Sequence, residues 1–293
     1  MRSLSSGTKS ACGIHGVAVL EESLDQRWFR LAVDGLDVRF FMKGSMLDRG
    51  RGKGADSREA LSPLLGVPSC LITPSQIHGT TILETSAGNA ISVRNVLSGY
   101  ATNNIEGDGI LFDAHDAGKF GLEASLRFAD CAPVIVAPSR EWFELAGASA
   151  RPWVLMMHSG YKGTVLNIAK TGLEKVRARY GEQALKGAWA WVGPCIGMAN
   201  YPRDIEEWTL RGMETFRGKN VKNDGEKVFF DIAGELRLQL MDAGITEDNI
   251  FLSGIDTYER YDLCYSYRSG EHERRMFLWA GAYDYMKNKQ GAS

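Results

Sequence analysis

Trp153–Gly181, WVLMMHSGYKGTVLNIAKTGLEKVRARYG, decides the reading of the fold. Trp153–Met157 is a short continuous apolar run, the pattern of a strand buried on both faces. A turn with Gly160 and Gly163 follows. Gly163-Thr164 then opens a helix predicted to run to Tyr180, with Val165, Ala169, Leu173 and Val176 at helical spacing and Gly181 as its stop. His158 falls at the strand's C-terminal end, where rigid scaffolds place functional groups.

The same pattern extends outward. Pro133–Ala137 (PVIVA) and Ala188–Val192 read as further buried strands, and Ile250–Ser253 and Met276–Trp279 as the last two. Val17–Leu20 and Trp28–Phe41 alternate like strands. Asp56 is expected to cap a helix over Arg58–Leu65, closed by Gly66, after a Gly-, Arg- and Lys-rich loop at Lys43–Ser57. Asp204 with Glu207 resembles a capping box for a helix to Phe216. Asp231 caps Ile232–Ala243, whose Ile232, Leu236 and Leu240 form one stripe before Gly244. Glu106–Gly109 reads as a tight turn. Helices and strands mix without strict alternation, repeat or linker, which predicts one α+β domain with a mixed sheet packed between helices.

Composition sets limits. The 293 residues carry 34 basic and 36 acidic side chains, a net charge of −2, so no global field favours nucleic acid. No apolar run approaches the ~18 residues of a membrane span, and Gly16–Leu20 is too short for a signal-peptide core. Five scattered cysteines without a CxxC pair exclude a zinc ribbon and a thioredoxin-type site, and predict a reducing, cytoplasmic setting. Five histidines allow one mononuclear metal site.

Three segments carry possible chemistry: Gln76-Ile77-His78-Gly79, Ala129-Asp130-Cys131-Ala132-Pro133, and His158-Ser159-Gly160-Tyr161-Lys162-Gly163-Thr164. His78, Cys131 and His158 are all good zinc ligands, and three protein ligands leave a fourth position for water. Zinc lowers that water's pKa to about 7. The spacings are long, so only the fold could assemble the set. On residue types alone, a packed core histidine and a small apolar cysteine are the commoner readings. Cys195, Trp189, Trp191 and Phe277–Trp279 read as packing residues, and His115 and His272 as exposed. His15 has no assignment.

With Gly193-Pro194-Cys195-Ile196-Gly197 and Ser266-Tyr267-Arg268-Ser269, these segments resemble, in order, the signature segments of the YfiH-like family, also called the laccase-domain or polyphenol oxidoreductase family. The resemblance spans residues 55 to 282. It implies a four-layer α/β/β/α sandwich with mixed β-sheets as one catalytic domain over residues 16–287; the polar start of the chain separately predicts a disordered segment 1–15. It implies zinc on His78, Cys131 and His158. It also implies phosphorolysis of adenosine, inosine, guanosine and methylthioadenosine, and deamination of adenosine. Asp130, Cys131 and Lys162 are then the catalytic candidates, and Arg58, Tyr161 and Arg268 hold substrate and phosphate. Asp108 falls where the family carries an acidic turn.

The sequence also departs from the pattern. The family's Trp-Arg pair is Tyr161-Lys162, which keeps a ring for stacking on a base but loses the Arg fork for bidentate phosphate. The early Arg-Gly-Gly segment is replaced by Met42-Lys43-Gly44-Ser45, Asn-Arg by Ser57-Arg58 and Cys-Thr by Asp256-Thr257. The second Arg of the last segment is Ser269. Asp130 reads either as a carboxylate serving the metal's water or as a strand-end cap. Lys162, Arg58 and Arg268 read either as phosphate contacts or as solvated or structurally paired charges.

Three other functions compete. A copper-dependent polyphenol oxidoreductase would place Cu²⁺ on the same donors, which by the Irving–Williams order bind it more tightly than Zn²⁺. A Cys-His hydrolase of cell-wall precursors would use Cys131 as nucleophile and His158 as base. A binding module would keep only the metal set. The expected partners are a small nucleoside and phosphate, without nucleic acid or membrane.

Overall fold

The computed structural model describes residues 11–14, 17–23, 25–47, 56–66, 70–85, 105–147 and 151–282. The chain opens with β1 (Ala11–Ile14), β2 (Ala18–Ser23), β3 (Gln26–Leu31), β4 (Leu36–Phe41), α1 (Asp56–Leu65), β5 (Cys70–Ile72) and β6 (Ile82–Glu84). It continues with β7 (Gly109–Asp113), α2 (Ala114–Phe120), β8 (Leu122–Phe128), β9 (Ala132–Ala137), α3 (Arg140–Ala146) and β10 (Trp153–Ser159). After α4 (Tyr161–Val165), α5 (Ile168–Tyr180) and β11 (Trp189–Val192) come β12 (Pro202–Arg203), α6 (Glu207–Thr215), β13 (Val221–Asn223) and β14 (Val228–Phe230). The chain closes with α7 (Ile232–Asp242), β15 (Ile250–Leu252) and β16 (Met276–Ala282).

Two mixed sheets form the middle of an α+β fold. The seven-stranded sheet runs β1–β2–β3–β4–β16–β8–β5 and the six-stranded sheet β15–β11–β9–β10–β7–β6. Pairings are antiparallel except β5 with β8, β11 with β15 and β6 with β7. The continuous apolar character of β10 now has its reason. Val154 and Met156 enter the cluster between the sheets, with Phe29, Phe40, Phe128 and Trp191. Trp153, Leu155 and Met157 enter the opposite cluster, with Leu173 and Val176 of α5 and Leu236 and Leu240 of α7. A strand sandwiched this way has no face left for polar residues. Ala60, Leu61 and Leu65 of α1 join the first cluster. A small sheet, β12–β14–β13, packs Val228 and Phe230 against Tyr161 at the start of α4 and Phe216 beyond α6.

Several boundaries differ from expectation. The helix expected over 163–180 is two helices, because Asn167 sits in the left-handed region at φ 60° and caps α5 by accepting from the Lys170 N–H at 3.0 Å. The strand expected over 28–41 breaks between β3 and β4, at a turn with Gly35 at φ 74°. Asp204 is not a cap: it pairs with Lys227, and α6 starts after Glu206 without a side-chain cap. The expected Asp231 cap is present, its Oδ1 accepting from the Gly234 N–H at 2.9 Å. α1 begins at Asp56 itself and ends before Gly66. Of the segment 1–15, Ala11–Ile14 pairs on the free edge of β2; the remainder, His15 included, lies outside the described residues, as does 48–55 of the expected basic loop. Trp189, Trp191, Phe277, Trp279 and Cys195 are buried, and His115 and His272 exposed, as read. Among the described residues no helix is long and apolar enough to cross a membrane.

Candidate metal centre

His158 is the penultimate residue of β10, and the strand's alternation directs it between the sheets, where its ring lies 5.4 Å from that of Phe128. On the neighbouring β9, where Pro133 pairs with His158, the chain enters through Asp130 at φ 77° and Cys131. Aspartate is one of the few non-glycine residues that visit this left-handed region, and here its carboxylate is held by long-range partners. Asp130 accepts from the Thr257 hydroxyl at 2.7 Å and the Arg268 N–H at 2.8 Å, so it clamps the distant 257–268 segment onto the strand end. His78 comes from the loop after β5 and is also left-handed, at φ 61°. Gln76 anchors that loop, donating to Arg127 O and accepting from Arg127 N, both at 2.8 Å.

The three expected ligands meet. One ligand atom from each of His78, Cys131 and His158 lies within 4.8 Å of the others. His78 is exposed, Cys131 half-buried and His158 buried, so the set opens to solvent on the His78 side. A Cβ on Gly160 would lie 2.7 Å from Cys131 Sγ and 3.0 Å from His78 Cδ2. The ligands therefore close over a bare Cα. Two imidazoles, one thiolate and a side-chain-free floor fit a metal ion with three protein ligands.

Without metal, charge sets Cys131 and His158 as a thiolate–imidazolium pair, so the thiol is already in its ligand form and a metal must displace a proton from His158. Burial, the largest single influence, raises the Cys131 thiol. The charges and hydrogen bonds of His158 and His78 outweigh it and hold the thiol at about 6. Burial likewise opposes the His158 imidazolium, but Cys131 and Asp108 push its pKa up to about 9. Asp108 stays ionised despite burial, because His158 and two backbone N–H groups bond to it. Cys131 alkylation by iodoacetamide in metal-free protein should therefore rise through pH 6 and level off above it. The thiol is protonated and unreactive below that value. Burial raises the thiols of Cys70, Cys195 and Cys264, and these should stay unlabelled at pH 7. In His158→Ala the Cys131 midpoint should move upward. Peptide mass mapping reads all three outcomes, and an unshifted midpoint would remove the pairing.

The remaining expected site residues separate. Lys162 is exposed, with Nζ 4.9 Å from the Trp208 ring centroid. Arg268 is exposed, and its guanidinium lies over Tyr201 at 4.8 Å. Arg58 sits half-buried on α1, where its charge acts on Cys70. Tyr161 does not offer the expected stacking face. It is 4% exposed, Arg203 lies 4.1 Å over its ring, Phe216 stacks at 5.9 Å, and its hydroxyl donates to Trp208 O at 2.8 Å. Two residues were missed or misread. Arg275 is half-buried and interacts electrostatically with Cys131 and Asp130. Asp108, read locally as part of a turn, is fully buried and bonds to His158 Nδ1 at 3.0 Å. Only its alignment with the family's acidic turn marked it.

Comparison with known proteins agrees with this architecture. The family model described as multi-copper polyphenol oxidoreductase laccase matches residues 51–280. A Staphylococcus epidermidis protein named purine nucleoside phosphorylase is 27% identical over 223 residues, 72% of each chain. The crystal structure of YlmD from Geobacillus stearothermophilus superposes with a TM-score of 0.66 at 20% identity, covering 89% of this chain and 97% of that one. Bacillus licheniformis hypothetical protein YfiH gives 0.64 at 18% identity, covering 87% and 96%.

Proposed function

The chain belongs to the multi-copper polyphenol oxidoreductase laccase family, and within it we propose a zinc-dependent purine nucleoside enzyme. Its reactions are phosphorolysis of adenosine, inosine, guanosine and methylthioadenosine, and deamination of adenosine. The observation that carries this reading is the convergence of His78, Cys131 and His158 over Gly160. The name carried by the Staphylococcus epidermidis relative supports the substrate class.

Zinc is preferred to copper on two grounds. His158 gives its Nδ1 to a carboxylate, leaving Nε2 for the metal, an arrangement recurrent in zinc sites. Five histidines are also too few for the several centres of a multicopper oxidase. Stoichiometric copper in protein purified without added metal would reverse the preference.

When bound, zinc supplies a Lewis acid and lowers the pKa of a water at its open position. The chain's own groups do the rest. Each Asp130 oxygen holds one donor and keeps a free lone pair, so the carboxylate accepts or returns a proton beside Cys131. Arg268, whose backbone N–H bonds to Asp130, is the cation assigned to phosphate, while Lys162 over Trp208 and Arg58 on α1 lie in separate surroundings. Tyr161, with its ring faces covered, fixes the floor behind Lys162 and leaves base recognition to other groups.

The test is a panel of the four nucleosides with metal-replete protein, with and without phosphate, followed by mass detection. Free base with ribose 1-phosphate is expected only with phosphate, and inosine from adenosine without it. Absence of product in both arms would sink the proposal. The order Cys131–His158–Asp108 also favours a second reading, a thiol hydrolase of cell-wall precursors in the metal-free protein. Inactivation by iodoacetamide that a chelator does not reproduce would select it.

A further inference from the structure

We infer that Asp108 is a positioning residue that aligns both histidines of the candidate metal site, an inference that rests on the metal-binding reading above. Its carboxylate is fully buried, and among the described residues its hydrogen bonds go to His158 and to the backbone of His78 and its two neighbours. Oδ1 accepts from the His78 backbone N–H at 2.9 Å and lies 3.0 Å from His158 Nδ1. Oδ2 accepts from the Gly79 N–H at 2.7 Å and the Ile77 N–H at 3.3 Å. Its own carbonyl accepts from the His158 N–H at 2.7 Å.

The two halves of this arrangement do different things. Three successive N–H groups, from Ile77 to Gly79, form an anion-binding concavity around the carboxylate. That concavity holds His78 at its left-handed φ of 61°, a conformation a non-glycine residue keeps only when its surroundings enforce it. The bond to His158 sets the tautomer. An ionised carboxylate only accepts, so when the ring is neutral, as a metal ligand must be, Nδ1 keeps the proton and Nε2 is left to the metal.

Asp108→Asn separates this role from ordinary packing. The amide has the same shape but only one accepting oxygen. Whichever way it turns, its NH₂ faces donors, either the Gly79 and Ile77 N–H groups or the His78 N–H and His158 Nδ1–H. Loss of an outer partner of this kind costs about 10–100-fold in metal affinity.

The experiment uses the full chain, Zn²⁺ alone and a competing chelator. Zinc affinity of folded Asp108→Asn is expected to fall about 10–100-fold against wild type. Equal affinity would overturn the inference while leaving the metal site standing. Failure of the wild type itself to bind zinc would instead remove the metal-binding reading, and the inference with it. Because a buried-charge substitution can prevent folding, a second measurement needs no variant. In zinc-loaded wild-type protein with ¹⁵N-labelled histidine, His158 is expected to show a slowly exchanging proton on Nδ1. A proton on Nε2 would overturn the inference.

Discussion

His158→Ala is expected to abolish nucleoside turnover, a loss of at least about a thousandfold, while the protein stays folded. The size follows from what the residue holds. A bound metal is worth several kcal/mol of transition-state stabilisation, and each ~1.4 kcal/mol is tenfold in rate. The substitution removes one of the three candidate ligands and the positively charged donor that lowers the Cys131 thiol pKa. The structural cost is smaller. His158 packs on Phe128 and bonds to Asp108 Oδ1, which keeps the His78 N–H as a donor. A cost of about 1–3 kcal/mol is the expected range for one deleted partner in a buried network. Circular dichroism should therefore remain native while zinc content and product formation are lost. Turnover within tenfold of wild type would show that the reaction does not pass through this site.

The fold was legible where one physical rule dominated. β9, β10 and β11 have both faces buried, so apolar runs marked them. Asp231 and Gly66 marked helix ends because capping is local. β8 was missed for the opposite reason. Glu123 and Ser125 are fully buried on it, and Trp279 Nε1 donates to Glu123 at 3.0 Å. A partner 156 positions away makes that polar strand tolerable, and no local window contains it. β5 and β6 are only three residues each and are fixed by pairing rather than by pattern.

The site divides in the same way. His78, Cys131 and His158 could be singled out as residue types, but their meeting point is a property of three separate connections. Asp108 lay hidden in a glycine-flanked turn because its partners are 29 to 50 positions away. Tyr161 was misassigned because the cover over its ring comes from Arg203 and Phe216, on elements that sequence reading could not fold back onto it. Local reasoning thus recovers caps and buried strands, and loses whatever depends on a distant partner.

Gly160→Ala should be nearly as damaging to zinc binding as deleting a ligand, although it adds a single methyl group. The backbone is not the obstacle. Gly160 has φ −82° and ψ −175°, an extended conformation open to any residue, and it caps α4 without using a side chain. Alanine is a poorer N-cap than glycine, by up to about 1 kcal/mol, but that cost falls on the helix start and not on the site. The obstacle is space, because the new Cβ would stand 2.7 Å from Cys131 Sγ and 3.0 Å from His78 Cδ2. Neither neighbour yields easily: Cys131 is held by the strand end at Asp130, and His78 by the N–H groups bound to Asp108. The thiolate or the ring must move by several tenths of an ångström, out of a site with short, fixed metal–ligand distances. A loss of at least about 100-fold in zinc affinity is expected, exceeding the effect of a lost outer partner. Chelator competition measures it, and the metal-free variant should melt below wild type while remaining folded, because the same clash is present without metal and costs about 1–3 kcal/mol. Unchanged zinc affinity would mean that the bound metal does not sit over Gly160, and that the convergence of His78, Cys131 and His158 is packing rather than ligation.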